Sequence, residues 1–120
     1  MRLNLLYFIV IFGFLAGCTD SESEELIEGR WYGRTIVEDA ENKPHELPEG
    51  IFFDFDYPNY VFEGDSNEQG NYYIKDEKLH LIPEAQEEKR AISILQLSSD
   101  TLTLKLVDSL GSRSVLFLRN

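Results

Sequence analysis

From residue 26 to the end of the chain, short runs of alternating apolar and polar residues are separated by clusters of Gly, Pro, Asn, Asp and Ser. This rhythm leaves little choice of fold, because a period of two belongs to strands with one buried face. Residues 29–37 form the first run, and 38–49 read as a long polar loop holding Pro44, His45 and Pro48. In 51–56, Ile51, Phe53 and Phe55 share one face, with Phe52, Asp54 and Asp56 on the other. Tyr60 and Phe62 alternate after Pro58, and 64–70 is a turn. Tyr72 and Ile74 share a face in 71–75, and Asp76-Glu77 turns into 79–82. A second polar loop covers 83–89, followed by runs at 91–97, 101–106 and 114–119. No stretch of ten or more residues has a helical period, and 21–27 offers a turn at most. About eight short antiparallel strands that must hide their edges fit an up-and-down barrel or a sandwich, and the meander-like spacing favours the barrel. The candidate inward positions are Phe53, Phe55, Tyr60, Phe62, Tyr72, Ile74, Leu79, Leu81, Ile92, Ile94, Leu102, Leu104, Val115 and Phe117.

Particular residues sharpen this picture. Gly29-Arg30-Trp31 opens the first strand, and Arg119 stands in the last. A guanidinium stacked on the indole would tie first strand to last with a cation–π contact of roughly 0.5–2 kcal/mol. This G-x-W resembles the signature of lipocalins, in which the Trp covers the closed end of the barrel and an Arg of the last strand packs over it. The order of motifs is also similar to that of small lipocalin-like domains in Bacteroidetes lipoproteins. Those motifs are Gly29–Trp31, Phe53–Phe55, Gly70 with Tyr72 and Ile74, Leu79–Leu81 and Asp100–Leu104. The resemblance implies an all-β, eight-stranded, lipocalin-like up-and-down barrel over 26–120. Gly29, Trp31 and Arg119 would be its structural signature.

The first eighteen residues have a different chemistry. Arg2 precedes an almost wholly apolar run over 3–14, and Leu15-Ala16-Gly17-Cys18 follows. The run is short for a membrane span and reads as a cleaved signal segment. The tetrapeptide matches the bacterial lipobox, so residues 1–17 are expected to be a lipoprotein signal peptide and Cys18 the lipidated new N-terminus. Several acyl chains, at roughly 0.8 kcal/mol per buried methylene, would hold such a protein on a membrane. Residues 18–25 then read as the lipidated cysteine and a flexible acidic tether. An acidic stretch in that place resembles the surface-export signal of Bacteroidetes lipoproteins. The expected location is the outer membrane, with either its periplasmic face or the cell surface open.

Removal of residues 1–17 leaves 103 of 120 residues, one small domain. The chain has 11 basic and 22 acidic residues, and only Arg2 lies in the signal, so the mature charge is −12. That balance argues against nucleic acid and against charge-driven binding to anionic lipid. Cys18 is the single cysteine, so no intrachain disulfide helps a domain of this size, and an efficient closed architecture is expected.

The remaining chemical signals are thin. Asp65–Gly70 with Asp76 mimics the spacing of a calcium loop, but strands flank it and a hairpin turn is expected. His45 with Asp39, Glu41 and Glu46 reads as a solvated acidic loop, and His80 as outward-facing. No catalytic constellation, cofactor motif or metal set stands out, so no enzyme is expected. Asp100-Thr101-Leu102 and Asp108-Ser109-Leu110 resemble the acceptor motif for O-linked sugars at Thr101 and Ser109, and they are equally plain turn chemistry.

An eight-stranded barrel is just wide enough to be filled by side chains or to hold one small ligand. The number of aromatics favours a filled interior and a non-enzymatic interaction or structural module. Such a module would meet a protein or glycan partner, with Phe52 and Tyr73 as its outward aromatics. The alternative is a small apolar or amphipathic ligand inside the barrel. Phe53, Phe55, Tyr60, Phe62 and Tyr72 would then be its contacts, and the mouth would lie near 38–49 and 83–89. Tyr32, Tyr60, Tyr72 and Tyr73 would supply polar tips.

Overall fold

The computed structural model describes residues 19–85, 88–109 and 111–119. Cys18 and the expected signal segment lie outside them. The described chain forms a helix, α1 (Asp20–Ile27), and nine strands. These are β1 (Gly29–Glu38), β2 (Lys43–Glu46), β3 (Phe52–Asp56), β4 (Asn59–Glu63), β5 (Glu68–Lys75), β6 (Lys78–Pro83), β7 (Arg90–Leu97), β8 (Thr101–Asp108) and β9 (Gly111–Leu118). From β3 to β9 each strand pairs antiparallel with the next. β1 pairs with both β3 and β9 and so closes an eight-stranded up-and-down barrel.

β1 closes the barrel because it is long enough to serve three neighbours. Gly29–Tyr32 pair with β3, and Tyr32–Glu38 pair with β9 across a bulge between Gly33 and Thr35. Thr35–Glu38 pair on their other side with β2. The eight barrel strands stand as expected, and the polar segment 38–49, expected to be loop, contains a further strand beside them. The chain turns with Asn42 in the left-handed region (φ 52°), and the amides of Glu41 and Asn42 donate to the Glu38 carbonyl. All four residues of β2 are exposed. A strand with no buried face has no hydrophobic period, so pattern alone does not reveal it.

The acidic segment expected to be a tether also differs, because it is helical from Asp20 onward. The Thr19 hydroxyl oxygen caps α1 by accepting from the Glu22 amide at 3.2 Å, and Asp20 and Glu22 lie in the first turn, where negative charge is favoured. Ile27 at its end is fully buried. α1 also repairs a sheet edge. β4 begins at Asn59, opposite Asn71, so β5 runs on beyond it. The amide of Tyr72 there donates to the Pro58 carbonyl (2.8 Å), and that of Ile74 to the Glu24 carboxylate (3.4 Å).

The interior is apolar throughout. Every position expected to point inward is buried except Phe62 and Ile94, which are half-buried and packed against the rest. Ile27 and Trp31 complete the core at the end covered by α1. One glycine is set by close approach. A Cβ on Gly70 would lie 2.1 Å from the backbone oxygen of Ile82, against which β5 is pressed. Gly70→Ala should therefore destabilise the domain by about 1–3 kcal/mol, read as a lower urea midpoint. An unchanged midpoint would show that β5 and β6 can separate freely there.

Candidate functional site

The barrel has two unlike ends. At the closed end, α1 finishes with carbonyls that no further helical turn can satisfy. The Trp31 indole donates from Nε1 to the Ile27 carbonyl at 2.7 Å. Arg119 donates from Nη1 to the Glu28 carbonyl at 2.5 Å, from Nη2 to the Leu26 carbonyl, and from Nε to the Ser99 carbonyl at 3.1 Å. Its guanidinium carbon lies 3.8 Å from the centre of the Trp31 ring. Gly29, at φ 105°, makes this approach feasible, because a Cβ there would stand 2.9 Å from Nη1 of Arg119. Trp31 and Arg119 thus join helix, first strand, last strand and the β7–β8 turn in one contact.

The aromatic residues expected to line a ligand cavity pack on one another. Phe53 has ring centres at 5.1 Å to Phe55, 4.7 Å to Phe62, 6.3 Å to Tyr60 and 5.6 Å to Phe117. Tyr72 meets Phe55 edge-on at 4.9 Å and Tyr57 at 5.6 Å. Tyr32 and Tyr73 do not join them. Tyr32 packs against Phe52 on the outside, where Arg30 covers that ring and pairs with Asp54 at 3.0 Å. Tyr73 stacks flat on His80 across β5 and β6, with ring centres 4.5 Å apart.

At the open end, two ion-pair clusters stand at inward-facing strand positions. Glu68 shares the parity of Gly70, Tyr72 and Ile74 on β5, and its side chain is only 12% exposed. It accepts from the Tyr60 hydroxyl at 2.5 Å and pairs with Arg90 of β7. Arg113 of β9 pairs with Glu38 and with Asp108. Between the clusters, Ile36, Leu47, Phe62, Ile94 and Leu106 pack down on the core. The β2–β3 connection is fastened over β1, with the Leu47 amide donating to the Arg34 carbonyl (3.0 Å) and the Gly33 amide to the Ile51 carbonyl (2.9 Å). Two hollows, of about 230 and 270 Å³, are shallow and open, and both include Asn67, Glu68 and Gln69 at the rim.

The remaining residues singled out in the sequence fall apart from one another. His45 meets Glu41 alone, at 3.4 Å, and no group of three or more metal-ligating side chains forms among the described residues. Thr101 stands at the closed end, bonded to Asp100, and Ser109 beyond β8 at the other. Leu47, Glu68 and Arg90 went unnoticed in the sequence. Strand parity extended one step past the apolar residues identifies the last two, and Leu47 carries no such signal.

No protein-family model matches the chain, and neither does any curated protein. Among solved structures, the fold resembles a lipocalin-like protein from Bacteroides uniformis, with a TM-score of 0.60 at 16% identity, covering 79% of this chain and 99% of that one. It also resembles an uncharacterized protein from Bacteroides eggerthii, with a TM-score of 0.57 at 13% identity, covering 76% and 98% respectively. The chain therefore has a lipocalin-like fold, all-β and closed. At these identities the likeness is one of architecture.

Trp31→Leu removes the ring face and the Nε1 donor, and Arg119→Ala removes the guanidinium. Their stability losses should be sub-additive by about 0.5–2 kcal/mol in a double-mutant cycle by chemical denaturation. Fully additive losses would mean that the two side chains do not support each other. At the other extreme of pH, Tyr60 and Tyr72 are held above the ordinary phenol value of 10.0, Tyr60 first by burial and then by its bond to Glu68. For Tyr72 the first cause is again burial, and the charges of Glu28 and Glu24 add to it. The folded chain keeps both protons where the unfolded chain releases them. Their stabilising effect is complete below pH 10 and declines as pH rises above it, with a limiting slope of about 1.4 kcal/mol per pH unit for each phenol. In an alkaline titration, Tyr60→Phe and Tyr72→Phe should each flatten that decline.

Proposed function

We propose that the chain is a lipid-anchored outer-membrane lipoprotein whose barrel acts as a non-enzymatic interaction module. The observation that carries this reading is the filled interior. Aromatic and aliphatic side chains occupy the barrel from Ile27 at one end to Leu106 at the other, and two shallow hollows lie on its rim. A partner would then be met by the loops or the outer face, where Tyr73 stacks on His80. A protein or glycan fits this role, and a charge of −12 on the mature chain disfavours nucleic acid. The lipobox ending in Cys18 supports the anchor, and the acidic residues after it support display at the cell surface.

A second reading is a small apolar or amphipathic guest within the barrel, touching Phe53, Phe55, Tyr60, Phe62 and Tyr72. One observation favours it. The Tyr72 hydroxyl is buried and finds no hydrogen-bond partner among the described residues, so a guest acceptor would relieve it. Native mass spectrometry of the mature protein, purified gently from a native-type host and followed by solvent extraction, separates the two. The filled-barrel reading expects the mass of the lipidated chain alone, with Cys18→Ala left unprocessed and unlipidated. A stoichiometric extractable adduct would replace it with the ligand-binding reading.

A further inference from the structure

We infer that the protein sits on its membrane closed end down, held there by α1 as a rigid strut, with the loops of the open end facing away. The inference rests on the lipid-anchor reading of Cys18 and adds an orientation to it.

A lipoprotein on a long flexible linker can turn any face to the bilayer. Here almost no linker exists. Thr19 caps α1 and the helix begins at Asp20, so Cys18 lies two residues before a docked element. The helix is eight residues long. At the helical rise, Thr19 is therefore about 12 Å from the buried Ile27, and Cys18 is the next residue along the chain.

The docking contacts lie in the second half of α1 and just past it. Glu24 holds the Ile74 amide at 3.4 Å, and Ile27 is buried with its carbonyl on Trp31. Arg119 holds the carbonyls on either side of Ile27. Glu28, just past the helix, accepts from the Tyr57 amide at 3.1 Å. These partners all belong to the closed end, whose rim is made by the turns at 57–58, 76–77 and 98–100. β1 is ten residues long, which places the opposite rim about 25 Å away for a typical strand tilt. An anchor fixed this close to one end of so short a barrel brings that end to the lipid.

The closed rim is chemically suited to lie there. Tyr57 is 51% exposed on it, an amphipathic aromatic of the kind that settles at headgroup level. Lys75 and Lys78 flank Asp76 and Glu77 in the β5–β6 hairpin, with Asp100 nearby. The hairpin charges are mixed and α1 adds Asp20, Glu22, Glu24 and Glu25, so geometry and not electrostatic attraction sets the pose.

The test uses the full lipidated protein in phosphatidylcholine–phosphatidylethanolamine vesicles carrying a headgroup quencher. Lipidation consumes the single native thiol, so an introduced cysteine can be labelled alone. Ser99→Cys places a fluorophore on the closed rim, and Ser66→Cys places one on the open rim; both positions are exposed turns. The expected result is several-fold stronger quenching at position 99. Inserting about twelve Gly/Ser residues between Cys18 and Thr19 should erase the difference, because a flexible linker frees the barrel to tumble. Equal quenching at the two positions, with the protein on the vesicles, would overturn the pose and leave the anchor reading intact. Failure of the purified protein to bind vesicles, with no lipid mass on Cys18, would overturn both.

Discussion

The end of α1 is the point on which the barrel depends. An isolated eight-residue helix is marginal in water, and this one has no basic residue in its last turn to meet its negative end. Arg119 supplies that charge from 91 residues away in the sequence, and Trp31 supplies the remaining donor. The same two side chains belong to the first strand and to the residue after the last. Satisfying the helix and closing the barrel are therefore one event. Gly29 keeps the space in which the guanidinium turns.

Much of this was legible in the sequence where one face of a strand is buried. Phe53 and Phe55, Tyr72 and Ile74, Leu79 and Leu81, and Leu102 and Leu104 all read correctly as inward because their outward neighbours differ in chemistry. The pattern failed where burial does not separate the two faces. β2 has no buried residue, so Lys43–Glu46 looked like loop. α1 shows a single fully buried residue, Ile27, beneath a run of acids and serines, and its helical character comes from the Thr19 cap and from contacts remote in sequence. Tyr32 was placed by residue type and not by parity. It faces out because Trp31 beside it faces in.

The rim of the barrel has a different physical character from its core. The core is held mainly by apolar contact and includes no buried charged residue among the described residues. The rim is built from Glu68 with Arg90 and Tyr60, and from Arg113 with Glu38 and Asp108. The Glu68 carboxylate is nearly buried, so loss of either partner would leave an expensive charge behind. The exposed pairs around Arg113 are worth much less. The two sides of the mouth consequently differ in rigidity.

The short strand β2 has a consequence of its own. Among the described strands, closure through β1 and β9 leaves β2 in the terminal place of the sheet order. Terminal strands are templates on which a second copy can add itself. This one is four residues long, fully exposed, charged at Lys43 and Glu46, and interrupted by Pro44, which has no N–H to donate. A sheet that ends in such a strand is poorly suited to grow from copy to copy into a fibre.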